Sequence, residues 1–292
     1  VAERPAISVI IPVWNGERYL RSTMDALAAQ TAPGDRYEII VVDNGSTDSS
    51  VTILRDYPEI TVLSEPRPGS YRARNHAVGS ASGEYLLFTD ADCRPHPDWI
   101  EKALAIADAD KVAGVTGGRI TLYREGPGNH SAALFEELTS FNQAQYIAAK
   151  RCVTANWLCR KSVLLEVGGF DAEMLSGGDF DCARKVIEAG YEIRYAPEMT
   201  VEHPVRAEVA GLIAKRRRVV GGMWTKDGLK DQSAPHALFG LVKAGARQMG
   251  TIMRSDIPGG SKPGVLAISA LITAASLFET IRLKSGASPY RS

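Results

Sequence analysis

In the first ninety residues, apolar positions come in short unbroken runs, each closed by a polar or glycine-containing turn. Ile7-Ser8-Val9-Ile10-Ile11-Pro12, Glu38-Ile39-Ile40-Val41-Val42-Asp43 and Tyr85-Leu86-Leu87-Phe88 show almost no alternation. Strands covered on both faces read this way, as central strands of parallel sheets do. Residues 60–63 predict a shorter strand. Between the runs the period changes. Leu20, Met24 and Leu27 recur at helical spacing within 18–30, and Pro33-Gly34 ends that segment. Residues 49–56, with Asp48 as N-cap, and residues 71–80 predict two more helices. The order β-α-β-α-β-α-β predicts an α/β fold with a doubly wound, mostly parallel sheet.

The second half is less regular. Residues 97–107 predict a helix opening with Pro-Asp, and 112–116 a strand ending in Gly117-Gly118. Those glycines let backbone approach a bound ligand or make a turn, and the first reading is preferred. Residues 126–129 predict a mobile loop, 131–150 one long helix, and 152–159 a strand containing Asn156-Trp157. A helix through Ala189 opens at Asp179, where an aspartate is also a favourable cap. Asp181 and Arg184 are expected to pair one turn apart, and a strand over 193–201 leads into Glu202-His203.

Charge changes the picture of the tail. The whole chain has 34 basic and 34 acidic residues, 45% apolar content and no low-complexity block. Residues 1–200 hold 20 Lys+Arg against 28 Asp+Glu, whereas 201–292 hold 14 against 6. This predicts two parts, a body over 1–204 and a basic helical appendage over 205–292, and it hints at an anionic surface as partner. Arg216-Arg217-Arg218 form a basic knot. In 235–254, Leu238, Leu241, Val242, Met249 and Ile252 share a helix with Lys243, Arg247 and Arg254, an interfacial pattern. Residues 263–278 carry no charge and are flanked by Lys262, Arg282 and Lys284. That run is short against the roughly 20 residues of a span, so lying in a membrane interface fits better. Packing on the body or on a second subunit is the alternative. Cys93, Cys152, Cys159 and Cys182 show no C-x-x-C spacing and predict reduced thiols. The stretch before the first strand does not read as a secretory signal, so the expected location is cytoplasmic, peripheral on the inner face of a membrane.

The candidate chemistry begins where the third long apolar run stops, at Thr89-Asp90-Ala91-Asp92. Two carboxylates at the end of a buried strand repel one another and lose hydration. A hard divalent cation removes both problems and bridges to phosphates. Residues 12–15, 43–46 and 90–92 are all loops at strand ends, where ligands of wound sheets sit. Three polar clusters on one rim point to a nucleotide pocket.

Ile-Pro-Val-Trp-Asn-Gly, Val-Val-Asp-Asn-Gly-Ser-Thr-Asp, Ala-Arg-Asn-His-Ala and Phe-Thr-Asp-Ala-Asp, in this order and spacing, resemble the family 2 glycosyltransferases of GT-A fold. The resemblance covers about residues 5–205. It implies an inverting hexosyltransferase-type enzyme that moves a sugar from a nucleotide-sugar donor, usually UDP-linked, to a glycan or lipid-linked acceptor, with a divalent metal, Mn²⁺ or Mg²⁺. By position it implies that Asp43 bonds the uracil ring. Pro12, Trp14, Asn15 and Glu17 would line the base and ribose pocket, and Arg74 would lie near base or diphosphate. Asp90 would face the ribose or a metal-bound water, and Asp92 would bind the metal. Val-Gly-Gly-Phe-Asp and Ser-Gly-Gly-Asp-Phe-Asp match the family's later motifs and make Asp179 the general base, with Gly178 in place of the usual Glu. His203 would complete the metal set or contact the diphosphate, and carboxylates plus His suit Mn²⁺ somewhat better than Mg²⁺. Two other classes compete: a sugar-nucleotide pyrophosphorylase, which needs a glycine-rich basic loop that Val13-Trp14-Asn15-Gly16 lacks, and a non-catalytic nucleotide-binding scaffold. A processive synthase is disfavoured by the lack of a Gln-x-x-Arg-Trp signature. No nucleic-acid partner is expected; a homo-oligomer stays open.

Overall fold

The computed structural model of the protein describes residues 5–109, 113–226 and 228–290. In chain order the elements are β1 (Ile7–Val13), α1 (Glu17–Ala28), β2 (Tyr37–Asp43), α2 (Ser50–Leu54), β3 (Thr61–Ser64), α3 (Ser70–Ser80), β4 (Tyr85–Phe88), β5 (Arg94–Pro95), α4 (Trp99–Asp108) and β6 (Val115–Tyr123). There follow α5 (His130–Thr139), α6 (Gln143–Ala148), β7 (Trp157–Arg160), α7 (Lys161–Glu166), α8 (Gly178–Glu188), β8 (Ile193–Pro204), α9 (Val209–Lys226), α10 (Ala234–Arg254) and α11 (Lys262–Lys284). Two compact units result. One takes Val1–Leu122, Phe141–Glu173 and Gly178–Pro204; the other takes Tyr123–Ser140, Met174–Gly177 and Val205–Ser292.

The first unit is built on one sheet of order β3-β2-β1-β4-β7-β6-β8-β5. β1 runs parallel to both β2 and β4, with Ile10 opposite Ile40 and Phe88. β3 joins β2 in parallel, while β7 runs antiparallel to both β4 and β6. The wound parallel half is thus the α/β fold that the sequence predicts, extended by an antiparallel half. Val9, Ile10 and Ile11 are fully buried, as are Leu86, Leu87 and Phe88. α1 packs Leu20, Met24 and Leu27 into the same core. Each such side chain contributes about 1.5–3 kcal/mol of burial free energy, which fixes the strand ends.

Four elements differ from the sequence expectation. The helix expected over 131–150 is two helices. Phe141, with φ 58°, turns the chain between α5 and α6, and the Asn142 side chain caps α6 by accepting from Gln145 N. The strand expected over 112–116 runs as β6 straight through Gly117-Gly118; Val112 lies outside the described residues. A Cβ on Gly118 would stand 2.2 Å from Asn156 Nδ2 and 2.4 Å from the Met199 carbonyl, so this glycine serves close chain packing. Asn156 needs that position: its amide donates to the Arg119 and Met199 carbonyls and accepts from Trp99 Nε1. Its inward turn makes Thr154–Asn156 a 3-10 segment, leaving β7 to start at Trp157. Finally, β8 continues past 201 to Pro204, so Glu202 and His203 are strand residues.

The second unit packs α5, α9, α10 and α11 around Ala132, Leu134, Phe135, Leu212, Ile252, Val265, Ile268 and Ile272. Glu136 is fully buried in it. Burial pushes its carboxyl up, but Lys215 and Arg206 outweigh this and hold it below the usual range. Arg206 Nη1 lies 3.0 Å and Lys215 Nζ 2.8 Å from Glu136 Oε1, which compensates the buried charge.

Candidate active site

The rim begins with the loops after β1 and β2, which are laced together. Asn15, at φ 48°, donates its N–H to Ser46 Oγ and accepts from Thr47 N through Oδ1. Glu17 N donates to Asp48 Oδ2, and Glu17 Oε2 accepts from Ser49 N. The side chains of Asn15 and Glu17 therefore clamp one loop to the other. Asp43 closes β2, is buried, and accepts from Ser46 N at 3.1 Å. Pro12 lies within β1 opposite Val42, and Trp14 projects with 52% of its surface exposed. Asp48, expected as the cap of the next helix, stands one residue before the actual N-cap Ser49 of α2 and accepts from Ser50 N at 2.9 Å.

Sequence reasoning missed Asn44. Its buried amide donates to the Glu65 carbonyl at 2.7 Å and the Arg67 carbonyl at 2.8 Å, and accepts from Gly69 N at 2.7 Å. One side chain thus fixes the loop that leads into α3.

α3 carries Tyr71, Arg74 and Asn75. Arg74 pairs with Asp90 beyond the end of β4, and its guanidinium lies 5.6 Å from the Tyr71 ring centre. Arg74 is almost wholly buried, and its Nε has no hydrogen-bond partner. Asn75 grips the turn before Asp171, donating to the Phe170 carbonyl and accepting from Phe170 N. Phe170 in turn stacks on Tyr71, with ring centres 5.8 Å apart.

Asp179 stands in the first turn of α8, and its Oδ1 accepts from Phe180 N at 2.9 Å and from the Tyr71 hydroxyl at 3.2 Å. Burial pushes this carboxyl above its ordinary range, and the charge of Asp90 adds to the rise; the Phe180 amide, Arg74 and Tyr71 act against it. Burial and the Asp179 charge push the Tyr71 phenol up as well, so it serves as a donor at all working pH values. Asp181, two residues on, pairs with Arg184 one turn further at 2.8 Å, the expected structural pair, and with Lys185 at 3.2 Å.

Asp92 and His203 meet from opposite halves of the sheet, with Oδ2 3.3 Å from Nε2. His203 Nδ1 lies 2.8 Å from the Pro204 carbonyl, which can only accept, so Nδ1 carries the proton and Nε2 faces the carboxylate. The Phe141 ring covers the imidazole at a centroid distance of 3.9 Å. Asp90, Asp92 and Cys93 offer ligand atoms within 4.8 Å of one another. Burial, then Asp92 and Asp90, raise the Cys93 thiol well above its normal value, so the carboxylates and the imidazole are the fitting donors. This oxygen-and-nitrogen set fits a hard or borderline divalent cation.

A wound sheet whose strand ends carry acidic groups, a buried arginine and a partly buried carboxylate suits several classes of nucleotide-binding protein. The comparisons identify which. Residues 8–168 match Glycosyl transferase family 2. A glycosyltransferase of Haloferax volcanii, AglE, is 32% identical over 232 residues, covering 76% of this chain and 75% of that protein. The chain belongs to glycosyl transferase family 2 and is a glycosyltransferase. The pre-mycofactocin glycosyltransferase of Mycobacterium tuberculosis is 30% identical over 275 residues, 91% of this chain but 56% of that one; the chain thus spans just over half of that relative. Among solved structures, S. aureus TarS 1-349 in complex with UDP-GlcNAc matches with TM-score 0.55 and 21% identity, over 91% of this chain and 72% of that one. A mannosyltransferase from Pyrobaculum calidifontis, PcManGT, in complex with GDP-Man and Mn²⁺, matches with TM-score 0.56 and 20% identity, over 99% and 78%. Both share the fold.

Proposed function

We propose that the chain is an inverting transferase that moves a sugar from a UDP-linked donor to a hydroxyl of a glycan or lipid-linked acceptor, with Asp179 as general base. The observation that carries this reading is the contact chain from Asp90 through Arg74 and Tyr71 to Asp179, with the Asp92–His203 pair on the same sheet rim. UDP-GlcNAc in TarS supports the uridine donor; GDP-Man and Mn²⁺ in the Pyrobaculum enzyme keep guanosine as the competitor and support the metal.

Asp43, at the end of β2, accepts from the imide N–H of the base. Trp14, half out of the surface, covers the ring, while Pro12, Asn15 and Glu17 shape the wall around it. Arg74 has a buried Nε without a protein partner, which suits a diphosphate oxygen. Asp92 and His203 would hold the cation, with Asp90 turned to it or to the ribose; when bound, Mn²⁺ or Mg²⁺ would neutralise charge on the leaving diphosphate. Asp179, its affinity for protons raised by burial, takes the acceptor's hydroxyl proton. The acceptor oxygen forms its bond to the anomeric carbon from the side opposite the diphosphate, and the bond to the diphosphate oxygen breaks. Tyr71 holds Asp179 in place during this displacement.

The experiment is a screen of UDP- and GDP-sugars for metal-dependent release of nucleoside diphosphate, followed by NMR of the product. An inverted anomeric centre and UDP release are expected. Pyrophosphate release would indicate a pyrophosphorylase, and a retained configuration would remove Asp179 from its role.

A further inference from the structure

The sequence assigns the outward apolar face of α10 to Leu238, Leu241, Val242, Met249 and Ile252. The structure corrects this: Leu241 and Ile252 are core residues. The exposed apolar stripe is a different one, Phe239, Val242, Ala246 and Met253. Next to it, His236, Lys243, Arg247 and Arg254 form an exposed basic stripe.

α11 buries a mixed face: Val265, Ile268, Ile272 and Leu283 alongside the polar Ser269, Ser276, Glu279 and Thr280. Glu279 is fully buried, accepting from Arg217 at 2.8 Å and from Arg282 at 3.0 Å. Its exposed positions are Pro263, Ala267, Ala270, Leu271, Ala274, Phe278 and Ile281, without a polar side chain among them. That stripe is about 27 Å long at 1.5 Å per residue. Phe278 is 60% and Phe239 67% exposed. Water selects the opposite arrangement, with polar side chains outward.

The two stripes share one side of the hairpin. Lys262 bonds the Met253 carbonyl, Ser269 bonds Gln248, and Gly245 abuts Thr273, so α10 and α11 are antiparallel. At about 100° per residue, the α10 stripe lies about a quarter turn clockwise from its contact line with α11. The α11 stripe lies about a third of a turn clockwise from its own contact line. Reversing one helix reverses that sense, which brings both stripes to the same side.

We propose that this side of the α10–α11 hairpin docks in the interfacial zone of an anionic lipid bilayer. The apolar stripes enter the acyl boundary, and the basic stripe beside them meets anionic headgroups. Charge complementarity selects lipid as occupant: residues 201–292 hold 14 basic and 6 acidic residues. The hairpin lies along the surface and does not cross it. α11 is long and apolar enough to span, but its inner face is fixed to α9 through Arg216–Ser276 and Arg217–Glu279. Crossing would take those arginines into hydrocarbon. This inference does not depend on the catalytic assignment.

The test is flotation of the full chain with vesicles of phosphatidylcholine, with and without phosphatidylglycerol. The chain is expected to float with the anionic vesicles and much less with the neutral ones. Phe239→Ser, Phe278→Ser and Ile281→Ser combined should lower partitioning about tenfold or more, since binding scales with apolar area buried. Lys243→Glu with Arg247→Glu should lower it at low salt. All five positions are exposed, and thermal melts check that the variants fold. A chain that stays at the bottom with both vesicle types overturns the proposal, as does flotation that the serine variant leaves undiminished. Light scattering that shows a dimer, dispersed by the serine variant and without flotation, assigns the face to a second copy of the chain.

Discussion

The Tyr71 hydroxyl donates to Asp179 Oδ1 across 3.2 Å, and the Tyr71 ring fills the space that a side chain on Gly178 would need. A Cβ at Gly178 would lie 2.7 Å from Tyr71 Cε2 and 2.8 Å from Cδ2. This explains the departure from the family motif noted in the sequence. Where the family motif has a glutamate, this chain places an aromatic ring and draws a hydrogen bond to Asp179 from α3.

The Tyr71 bond favours the ionised form of Asp179, so removing it lets the carboxyl rise further. Tyr71→Phe should move the ascending limb of the pH–kcat/KM profile to higher pH, by up to about one unit. Donor KM should change little. A profile that stays in place would limit Tyr71 to packing.

Asp179 should trade stability for activity. Its folded value is raised by burial, so the folded state resists ionisation. The stability it allows is complete below the unfolded aspartate value, near about 4, and falls as pH rises through the raised folded value. Asp179→Asn, which stays neutral, should therefore raise Tm at pH 8 relative to the parent. The same variant should keep nucleotide binding and lose turnover by about a hundredfold or more. Equal melting at pH 4 and pH 8, relative to the parent, would contradict the burial argument.

Gly178→Ala should push the Tyr71 ring off Asp179 and lower kcat about tenfold or more, since small displacements of catalytic groups are amplified in rate. Adding Tyr71→Ala removes the clash. The double variant should be no slower than Tyr71→Ala alone, a non-additive result. Additive losses in kcat would show that the two positions act separately.

The parallel half of the sheet was legible because its strands are uninterrupted apolar runs ending in polar turns, and no other element type gives that pattern with glycine and proline between. Asp90 and Asp92 stood out because like charges at a strand end need a partner. Less legible were side chains whose partners are far away in sequence. Asn44 read as a turn residue, yet its bonds reach residues 65, 67 and 69. Tyr71 read as a helix residue with no partner in view, 108 positions from Asp179. Phe141 broke the long helix by adopting a left-handed backbone, which helix periodicity does not register. In α10 and α11 the apolar residues surround the helix, and only packing reveals which of them face inward.

Asn44→Ala should destabilise the protein by about 3 kcal/mol, because two carbonyls and one N–H lose a buried partner. Chemical denaturation measures this directly. The loop from Glu65 to Gly69 would then relax, and donor KM should rise more than kcat falls. A loss below about 0.5 kcal/mol would mean that water replaces the amide without consequence.

The Asp92–His203 pair separates metal binding from simple pairing. If the two merely form an ion pair, Asp92→Asn should lower stability, because His203 is buried, and should leave Mn²⁺-dependent UDP binding unchanged. If they hold a cation, the same change removes a charged ligand. Calorimetry should then show UDP binding that no longer depends on Mn²⁺, and transfer should be abolished. His203→Gln keeps a polar side chain but not an imidazole, and should raise the Mn²⁺ concentration needed for half-maximal activity by about tenfold or more, in the range seen when a metal site loses its supporting groups. Phe141→Leu, which uncovers the imidazole without touching either partner, should give a smaller shift in the same direction. Unchanged Mn²⁺-dependent UDP affinity in Asp92→Asn would remove Asp92 from the metal site.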